Sequence, residues 1–515
     1  MRKDFIQNLV GNFDSDRHEL INISDTVNMI LEKHAEGSSV STSLYSIAGM
    51  EKILDFGSSV CHGMYTCSRG FNDKPCTYVA FGDCLYVIWQ DEEGNFQKAF
   101  ISNVPATEIR FVENGGQTED TAYVFYVDGS TLHAIPNRKI YGDQSNGVIN
   151  IPLPKNYRPT HIAYLWGYLV INNKDTDELN VSYQYPLETK LPLYDDDGIV
   201  KVDEKGNILY EDEISTDIFQ CQEGHLYPGT GFVLYAEWKP DIVESIVSNG
   251  TYLYALGTRS IQKFTYQANV DAPFTSGSGS SSDIGTMFGN TVAKILDRIF
   301  FVGSVHEKEN SVYEISSNGS ITNISTSAVN NLLKDIVSSS CSSYCYVSNS
   351  HLFYVLTING TTTLCYDATT QSWTRRESSG HCWRYDHCAE IGGRFLFGST
   401  GALCAESETK WTEHDGTPIL RSRTSGCLTN SLRTFYADMV EFNLDKHDDM
   451  DISYSYSEGG RDWSNTESIH IGSWMDKIAI WNAGLHKILV VKIETSSDSD
   501  FGILGGQLKW SELDE

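Results

Sequence analysis

The sequence predicts an all-β protein. Tyrosine, threonine, serine and glycine are abundant, with 28 Tyr and 42 Gly among 515 residues, whereas runs of Ala, Leu and Glu at helical spacing are scarce. Aromatic and β-branched residues are typical of strands. From Cys76 onward, short runs of alternating apolar residues are separated by tight turns, and this pattern predicts β-meanders. The length exceeds one ordinary domain, so we expect two or three units.

The turns inside these meanders recur at a nearly regular spacing. The intervals are 47, 38, 83, 47, 52 and 43 residues, counted between Gly82, Gly129, Gly167, Gly250, Asp297, Asn349 and Gly392. A period of about 40 to 50 residues with four short strands per period is typical of propeller blades. The sequence therefore predicts a β-propeller of six to seven blades over residues 56–415. Because blades bury their faces against neighbouring blades, we expect the ring to close.

The one long interval contains an acidic segment at residues 186–230. This segment is rich in turn signals and poor in long apolar runs, so we expect an inserted loop or hairpin between two blades. Its run YDDDG lacks the rest of a twelve-residue calcium loop, which favours a solvated acidic turn. A second stretch, FTSGSGSSSDIG from Phe274 to Gly285, has the composition of a mobile surface loop.

The two ends of the chain lack the blade rhythm. Residues 416–515 contain longer strands, such as RTFYADMVEFNLD and KILVVKIETSS, and predict a C-terminal β-sandwich-like domain. Residues 1–55 contain a candidate helix or extended arm and too few apolar residues to fold alone. We therefore expect an N-terminal arm that packs on another domain.

Charge and composition exclude several classes of protein. With 38 Lys and Arg against 68 Asp and Glu, the formal charge of −30 argues against a protein that binds nucleic acid by neutralising phosphates. No stretch approaches the roughly 18 consecutive apolar residues of a membrane span, and the start of the chain does not resemble a signal peptide. The 12 cysteines include no CxxC pair, so we expect mainly reduced, buried thiols.

The stretch YSYSEGGRDWSN resembles the Asp-box hairpin of sialidases. Tyr456, Glu458, Gly460 and Trp463 follow the S-x-D-x-G-x-x-W spacing, with Tyr and Glu in place of Ser and Asp. In such a hairpin the acid accepts hydrogen bonds from amides, glycine permits a positive φ and the aromatic ring covers the turn. We interpret these residues as a structural motif, because a sialidase also needs an arginine cluster and arginine is sparse here.

No catalytic, cofactor-binding or metal-binding residue is predicted. His381, Cys382, His387 and Cys388 are zinc-ligand types, but adjacent residues of a strand point to opposite faces and cannot easily share one ion. The motifs of phosphate-binding loops, hydrolase nucleophile elbows and zinc peptidases do not occur. Two alternatives stay open at this point. One is a propeller glycoside hydrolase, sialidase-like and acting on surface glycans, and the other is a kelch-like or WD-like platform for protein binding.

Three stretches resemble one family. SDTVNMILEKHAEGSSVSTSLYSIAGM contains a VNM core at residues 27–29 and Gly49, with Ala48 where proline is usual. SIVSNGTYLYALGTRSIQKFTY is similar to one of the family's blades. IAIWNAGLHKILVVKIETSSDSDFGILGGQLKW, with Trp481 and Leu485, is similar to its closing domain. The family is that of the packaged-DNA stabilisation proteins of short-tailed bacteriophages, which form tail hubs or nozzles.

This resemblance implies a structural virion protein and not an enzyme. Such proteins form a ring, usually a homohexamer, beneath the portal and adaptor, where they retain packaged DNA and conduct it during ejection. The implied partners are further copies of the chain, the portal, the adaptor and other tail proteins, with transient non-specific passage of double-stranded DNA. The implied location is the virion tail, after assembly in the host bacterial cytoplasm. We expect the acidic insertion to gate or slide DNA in the lumen or at the distal tip, through Asp195, Asp196, Asp197, Glu211, Asp212 and Glu213.

Overall fold

The computed structural model describes most of the chain and divides it into two compact units. The described residues are 2–5, 9–15, 23–67, 75–116, 121–136, 147–188, 193, 201–210, 216–219, 232–236, 238–239, 241–269, 272–277, 279, 281–305, 309–446 and 448–512. The first unit comprises Met1–Ile53, Asn323–Asp386 and Cys404–Glu515, and the second comprises Leu54–Thr322 and His387–Leu403. The domain boundaries expected from the sequence stay a prediction.

Strands dominate both units, and the all-β prediction is confirmed. The helical elements in the described ranges are short: the α-helix Ser327–Leu332 and the 3-10 turns Gly289–Thr291 and Ser338–Ser340. In this part of the chain, no helix has the length and apolar character that crossing a membrane requires.

The second unit contains five antiparallel sheets, which we number as blades 1 to 5 in chain order. Blade 1 contains Cys61–Cys67, Cys76–Phe81, Cys84–Gln90 and Phe96–Asn103. Blade 2 contains Arg110–Glu113, Tyr123–Val127, Leu132–Pro136 and Ile149–Ile151. Blade 3 contains Ile162–Leu165, Tyr168–Asn172, Glu178–Val181 and Phe232–Tyr235. Blade 4 contains Val243–Ser248, Tyr252–Gly257, Ile261–Tyr266, Phe274–Thr275 and Ser281–Ser282. Blade 5 contains Ile284–Gly285, Ala293–Ile295, Arg298–Val305, Glu309–Ile315 and Ile321–Asn323.

The expectation of a mobile surface loop at Phe274–Gly285 is wrong in part, because the segment contains short paired strands. Phe274–Thr275 and Ser281–Ser282 pair with Ile261–Tyr266, and Ile284–Gly285 pairs with Arg298–Val305. Glycine and serine cannot build a core through their own side chains. Their backbone amides and carbonyls can still extend an existing ladder, and the composition of the segment does not reveal this.

Successive blades pack face to face through apolar cores. Tyr78 of blade 1 lies in one buried cluster with Val124 of blade 2. Similar clusters join blade 2 to blade 3, blade 3 to blade 4 and blade 4 to blade 5. The first strands of blades 1 to 4 also contact one another in sequence. Blades 2 to 4 therefore bury both faces, and the first strands of blades 1 to 4 lie side by side, which is the packing of a propeller.

The first unit contains two large sheets. One has the order Met29–Lys33, Thr42–Ser46, Gly502–Glu512, Phe435–Asp445 and Lys477–His486, and Arg2–Phe5 also pairs with Gly502–Glu512. The other begins with a meander of Ser342–Ser348, His351–Ile358, Thr362–Asp367 and Ser372–Ser378 and continues through Ile23–Val27, Arg421–Thr424, Leu489–Thr495, Met450–Glu458 and Asp462–Trp463. Short strands add to it at Asp14–Ser15, His381–Cys382 and Glu467–Ile471. A smaller sheet, separate from the two large ones, has the order Tyr385–Ile391, Arg394–Ser399, Ala402–Ser407 and Gly49–Asp55. Its strand Arg394–Ser399 belongs to the second unit.

The two large sheets share one core, which gives the predicted β-sandwich-like element. Phe435 and Phe442 from the first sheet and Ile452 and Val491 from the second belong to one buried cluster. N-terminal residues contribute to this core through Met29. Residues near the start of the chain thus lie in the same sheets as residues more than 400 positions later.

Candidate functional site

Most of the acidic insertion lies outside the described residues. This applies to all six of its candidate acids, Asp195, Asp196, Asp197, Glu211, Asp212 and Glu213, whose role stays a prediction. The longest described part is a hairpin at residues 201–210, in which Val202 and Ile208 form a bridge. Asp203 closes its turn by accepting hydrogen bonds from the amides of Lys205 at 2.8 Å and Asn207 at 2.9 Å. Hydrogen bonds from Asn207 lower the pKa of this carboxyl, which keeps the turn anionic.

The same hairpin exposes apolar side chains. They are Val202, Ile208, Leu209 and Tyr210, each at least 40 % exposed. A turn built only to repel DNA has no need of them, because repulsion requires only charge. The hairpin therefore combines an acidic sequence with apolar side chains that are exposed to solvent in the isolated chain.

The sialidase-like motif forms a hairpin in the first unit. Glu458 accepts hydrogen bonds from the amides of Lys487 and Ile488 at 3.2 Å, and its second oxygen lies 2.9 Å from His486 Nδ1. Gly460 has φ +77°, and a Cβ at this position would lie 2.0 Å from Ile23 Cδ1. Glu458 thus joins two strand ends, while Gly460 allows close contact with the N-terminal segment.

Trp463 pairs with Ser457 across this hairpin, and its side chain is 40 % exposed. The arrangement forms a joint between strands through the hydrogen bonds of Glu458.

A cluster of ionisable residues lies where the first strands of the blades meet. Glu108 and Arg110 lie at the start of blade 2. His387 lies within the strand Tyr385–Ile391. His387 Nε2 is 3.4 Å from Glu108 Oε2, and Arg110 Nη2 is 3.8 Å from Glu108 Oε1. Arg110 also donates to Asn290 Oδ1 at 2.8 Å. The fold brings these distant positions together, and we call Glu108, Arg110 and His387 the charged cluster.

Opposite charges set the protonation of the charged cluster. Burial alone would lower the pKa of His387, but its electrostatic and hydrogen-bond interactions with Cys61 and Glu108 outweigh it and hold that pKa well above its ordinary value. Burial alone would raise the pKa of Glu108, but His387 and Arg110 outweigh it and lower that pKa. The cluster is therefore an imidazolium, a carboxylate and a guanidinium that compensate one another.

Cys61 and His387 resemble a thiol nucleophile with its base, but the thiol lies in a closely packed place. The Cys61 side chain is 4 % exposed, and a Cβ on Gly398 would lie 2.5 Å from its Sγ. Met64 Sδ lies 3.1 Å from the same Cβ position. The thiol is thus buried against the backbone of Gly398. Sequence reasoning missed this cluster, because its members are up to 279 positions apart and form no motif.

The structure gives no support to a metal centre. Within the described ranges, no three His, Cys, Asp or Glu residues are grouped so that they could hold an ion. His381 and Cys382 lie on one short strand, and His387 faces Glu108. None of the eleven cysteines that the structure describes forms a disulfide.

An exposed apolar surface lies on the edge strand Lys477–His486. This strand ends the order of its sheet and pairs, in the described residues, only with Phe435–Asp445. Trp481 is 64 % exposed and Leu485 is 54 % exposed, and Lys509 Nζ lies 6.0 Å from the centre of the Trp481 ring. Nearby in sequence, Trp474 is 84 % exposed. We call Trp474, Trp481 and Leu485 the edge surface. Exposed tryptophans on an unpaired edge are typical of contact surfaces.

Part of the chain is similar to a known protein family. Residues 230–403 match the family model Phage_stabilise, described as Bacteriophage P22 Gp10, beta-propeller. The predicted resemblance and the predicted propeller are thereby confirmed. A search of curated proteins finds no match. Among solved structures, the chain is similar to an exo-beta-1,3-galactanase from Phanerochaete chrysosporium with galactose, at 10 % identity over 81 % of this chain and 98 % of that chain. The TM-score of 0.28 is too low to support an argument about fold or activity.

Proposed function

We infer from the phage-stabilisation β-propeller at residues 230–403 that this chain is a structural protein of a bacteriophage particle. The matched residues include blade 4, blade 5 and the meander Ser342–Ser378. This match is the observation that carries the inference. The close packing of Cys61 supports it, because this thiol beside His387 is 4 % exposed and lies against Gly398.

The proposed role is that of a hub or nozzle in a short tail. Several copies, six by analogy with the family, would form a ring beneath the portal and adaptor and contact other tail proteins. The ring would retain packaged DNA and conduct it during ejection. The chain would be assembled into the particle in the host bacterial cytoplasm. Stacked blades with apolar cores support this role, since a channel wall must resist deformation while a duplex passes.

The net charge supports a passage for DNA and opposes a DNA-binding surface. Each copy carries a formal charge of −30, and six copies would carry six times that charge, or −180. Salt screens charges beyond about 8 Å at physiological ionic strength, so only acids that line the passage act on the duplex. Such acids would prevent phosphates from adhering to the wall, and the duplex would move without a sequence-dependent barrier.

The edge surface supports assembly into a larger structure. Trp481 and Leu485 lie on an edge strand whose outer backbone groups have no ladder partner in the described residues. Burying one large aromatic side chain in an interface contributes about 1.5–3 kcal/mol. Loss of this surface should therefore weaken association of the chain without unfolding it.

The acidic insertion is the proposed DNA-gating element. The test compares phage particles that carry a deletion of residues 191–213 with particles in which Asp195, Asp196 and Asp197 are replaced by Asn. A matched control replaces Glu92 and Glu408, two exposed acids outside the insertion, by Gln. We expect both insertion variants to assemble with altered DNA retention and the control to behave as wild type. Normal retention in both insertion variants would refute the gating role.

The proposed function also excludes glycosidase activity. Purified protein incubated with sialosides and common β-glycans should release no sugar, measured by chromatography of the products. Turnover that disappears when a single carboxylate is replaced would contradict the structural role and favour the propeller-hydrolase alternative. A protein that stays monomeric beside portal and adaptor would instead favour the binding-platform alternative.

A further inference from the structure

Two cysteines face each other at the end of a ladder in blade 1. Cys67 is the last residue of Cys61–Cys67, Cys76 is the first of Cys76–Phe81, and the two are direct partners in the antiparallel register. At the preceding pair, the hydroxyls of Thr66 and Thr77 are 2.9 Å apart. Side chains of opposed residues therefore meet across this ladder, and opposed residues point to the same face of a sheet.

The geometry of this pair suits a disulfide. Residues directly opposite in an antiparallel ladder have Cα atoms about 4.5–5.5 Å apart, and disulfides span Cα distances of about 4.4–6.8 Å. Cys67 is 2 % exposed and Cys76 is fully buried, in the core between blades 1 and 2 that includes Tyr78 and Val124. Joining the sulfurs thus requires side-chain rotation and little backbone movement.

A proton acceptor is already in place. The Cys67 thiol donates to Glu113 Oε2 at 2.9 Å. Thiol–disulfide exchange requires a thiolate, and this carboxylate can take the proton as the thiolate forms. The pair is also the terminal one of its ladder, so opening it exposes both sulfurs without disturbing the rest of the blade.

We propose that Cys67 and Cys76 form an intrachain disulfide when the protein meets a small-molecule disulfide oxidant. The Cys67 thiolate attacks the oxidant, which releases one small thiol and leaves a mixed disulfide. The Cys76 thiolate then attacks the Cys67 sulfur and releases the second small thiol. Two protein thiols are oxidised, one small disulfide is reduced to two thiols, and the two protons pass to those thiols. The timing of this oxidation, after a particle has left the reducing cytoplasm, rests on the proposed function. The ability of the two cysteines to form a disulfide does not depend on the proposed function.

The disulfide would fix the first hairpin of blade 1. It would close a loop over residues 68–75 and tie together the two strands that begin the blade. A cross-link of this kind lowers the conformational entropy of the unfolded chain. The oxidised protein should therefore unfold at a higher urea concentration than the reduced protein. Cys365, which is equally buried but faces Thr374 in its ladder, has no opposed thiol and serves as the control position.

The experiment uses the purified full-length chain. Reduced protein is incubated with oxidised glutathione, denatured, labelled with N-ethylmaleimide and digested with trypsin without reduction. Cleavage after Arg69 separates the two cysteines, because Lys74 precedes Pro75 and is cut poorly. Mass spectrometry should find peptides containing Cys67 and Cys76 linked to each other, and reduction should release them. The intact protein should take up two fewer labels than the reduced protein.

Matched variants make the result specific. In Cys67→Ser the remaining Cys76 should carry glutathione or the maleimide label, whereas Cys365→Ser should keep the linked peptide. Wild-type protein in which both cysteines are fully labelled at every glutathione ratio would overturn the proposal. Linkage scattered among other cysteines would overturn it as well. The assay needs neither phage particles nor a ring. If no disulfide forms, the proposed function is not affected, and if no ring forms, the result of the disulfide assay still stands.

Discussion

Asn28 should be the most sensitive polar residue of the N-terminal segment. It is fully buried, has φ +54°, and lies at the centre of three chain segments. Its Nδ2 donates to the carbonyls of Glu377 at 2.9 Å and Leu420 at 2.8 Å, and its Oδ1 accepts from the Glu377 amide at 3.0 Å. The side chain therefore satisfies three backbone groups, two at Glu377 in the strand Ser372–Ser378 and one at Leu420, just before the strand Arg421–Thr424.

Replacing Asn28 by Ala should cost about 4 kcal/mol of unfolding free energy. A hydrogen bond of this kind contributes about 1 kcal/mol on balance, and a buried group left without a partner costs about 1–3 kcal/mol. Alanine in the left-handed region adds about 1–2 kcal/mol. Urea unfolding followed by tryptophan fluorescence measures the total. Hydrogen exchange of peptides from the strands Ile23–Val27 and Ser372–Ser378 locates the loss.

Asn482 provides a matched control, because it shares the backbone conformation without the hydrogen bonds. Its φ is also +54°, its side chain is exposed, and the described residues give it no side-chain hydrogen bond. Asn482→Ala should cost only about 1–2 kcal/mol, the price of the left-handed backbone. If Asn28→Ala were no more destabilising than Asn482→Ala, the hydrogen-bond account of Asn28 would be wrong.

Three further predictions concern the hairpin that contains Glu458 and Gly460, the charged cluster and the edge surface. Gly460→Ala should destabilise the first unit by about 1–3 kcal/mol, and Ile23→Ala in the same chain should recover part of this in urea unfolding. Folding raises the pKa of His387, so its contribution is complete below about pH 6.5 and is lost as pH rises through the raised pKa. Glu108→Gln should accordingly destabilise more at about pH 6 than at about pH 10, and an equal effect at both would disprove the ion pair. Trp481→Ser should lower the assembled fraction in native mass spectrometry while the unfolding midpoint stays within error.

The sequence predicts the blades well because their turns have local causes. Gly82, Gly129 and Gly250 all have positive φ. Each lies between two paired strands of its own blade, as their spacing predicts. At the predicted turn residue Asp297, the positive φ belongs instead to the preceding Leu296. A two-residue turn places its strain at either position, so the pattern identifies the turn without identifying the residue.

Long-range pairing could not be predicted, because nothing local encodes it. Asp25 pairs with Thr424, and the VNM core is held by carbonyls near residues 377 and 420. The charged cluster has the same origin, since Glu108 and His387 become neighbours only when first strands of different sheets meet. The short strands within Phe274–Gly285 were not predicted. Their pairing depends on backbone hydrogen bonds, whereas the amino-acid composition describes only the side chains.

The central claim is that this chain is a stiff, non-catalytic wall element of a phage tail, and direct imaging tests it best. Electron cryomicroscopy of particles that contain the chain, with the purified protein as reference, can count its copies around the tail axis. The account predicts a closed ring of several copies, six by analogy with the family, surrounding the DNA path beneath the portal. Single copies away from the axis, or a ring that never surrounds DNA, would contradict it.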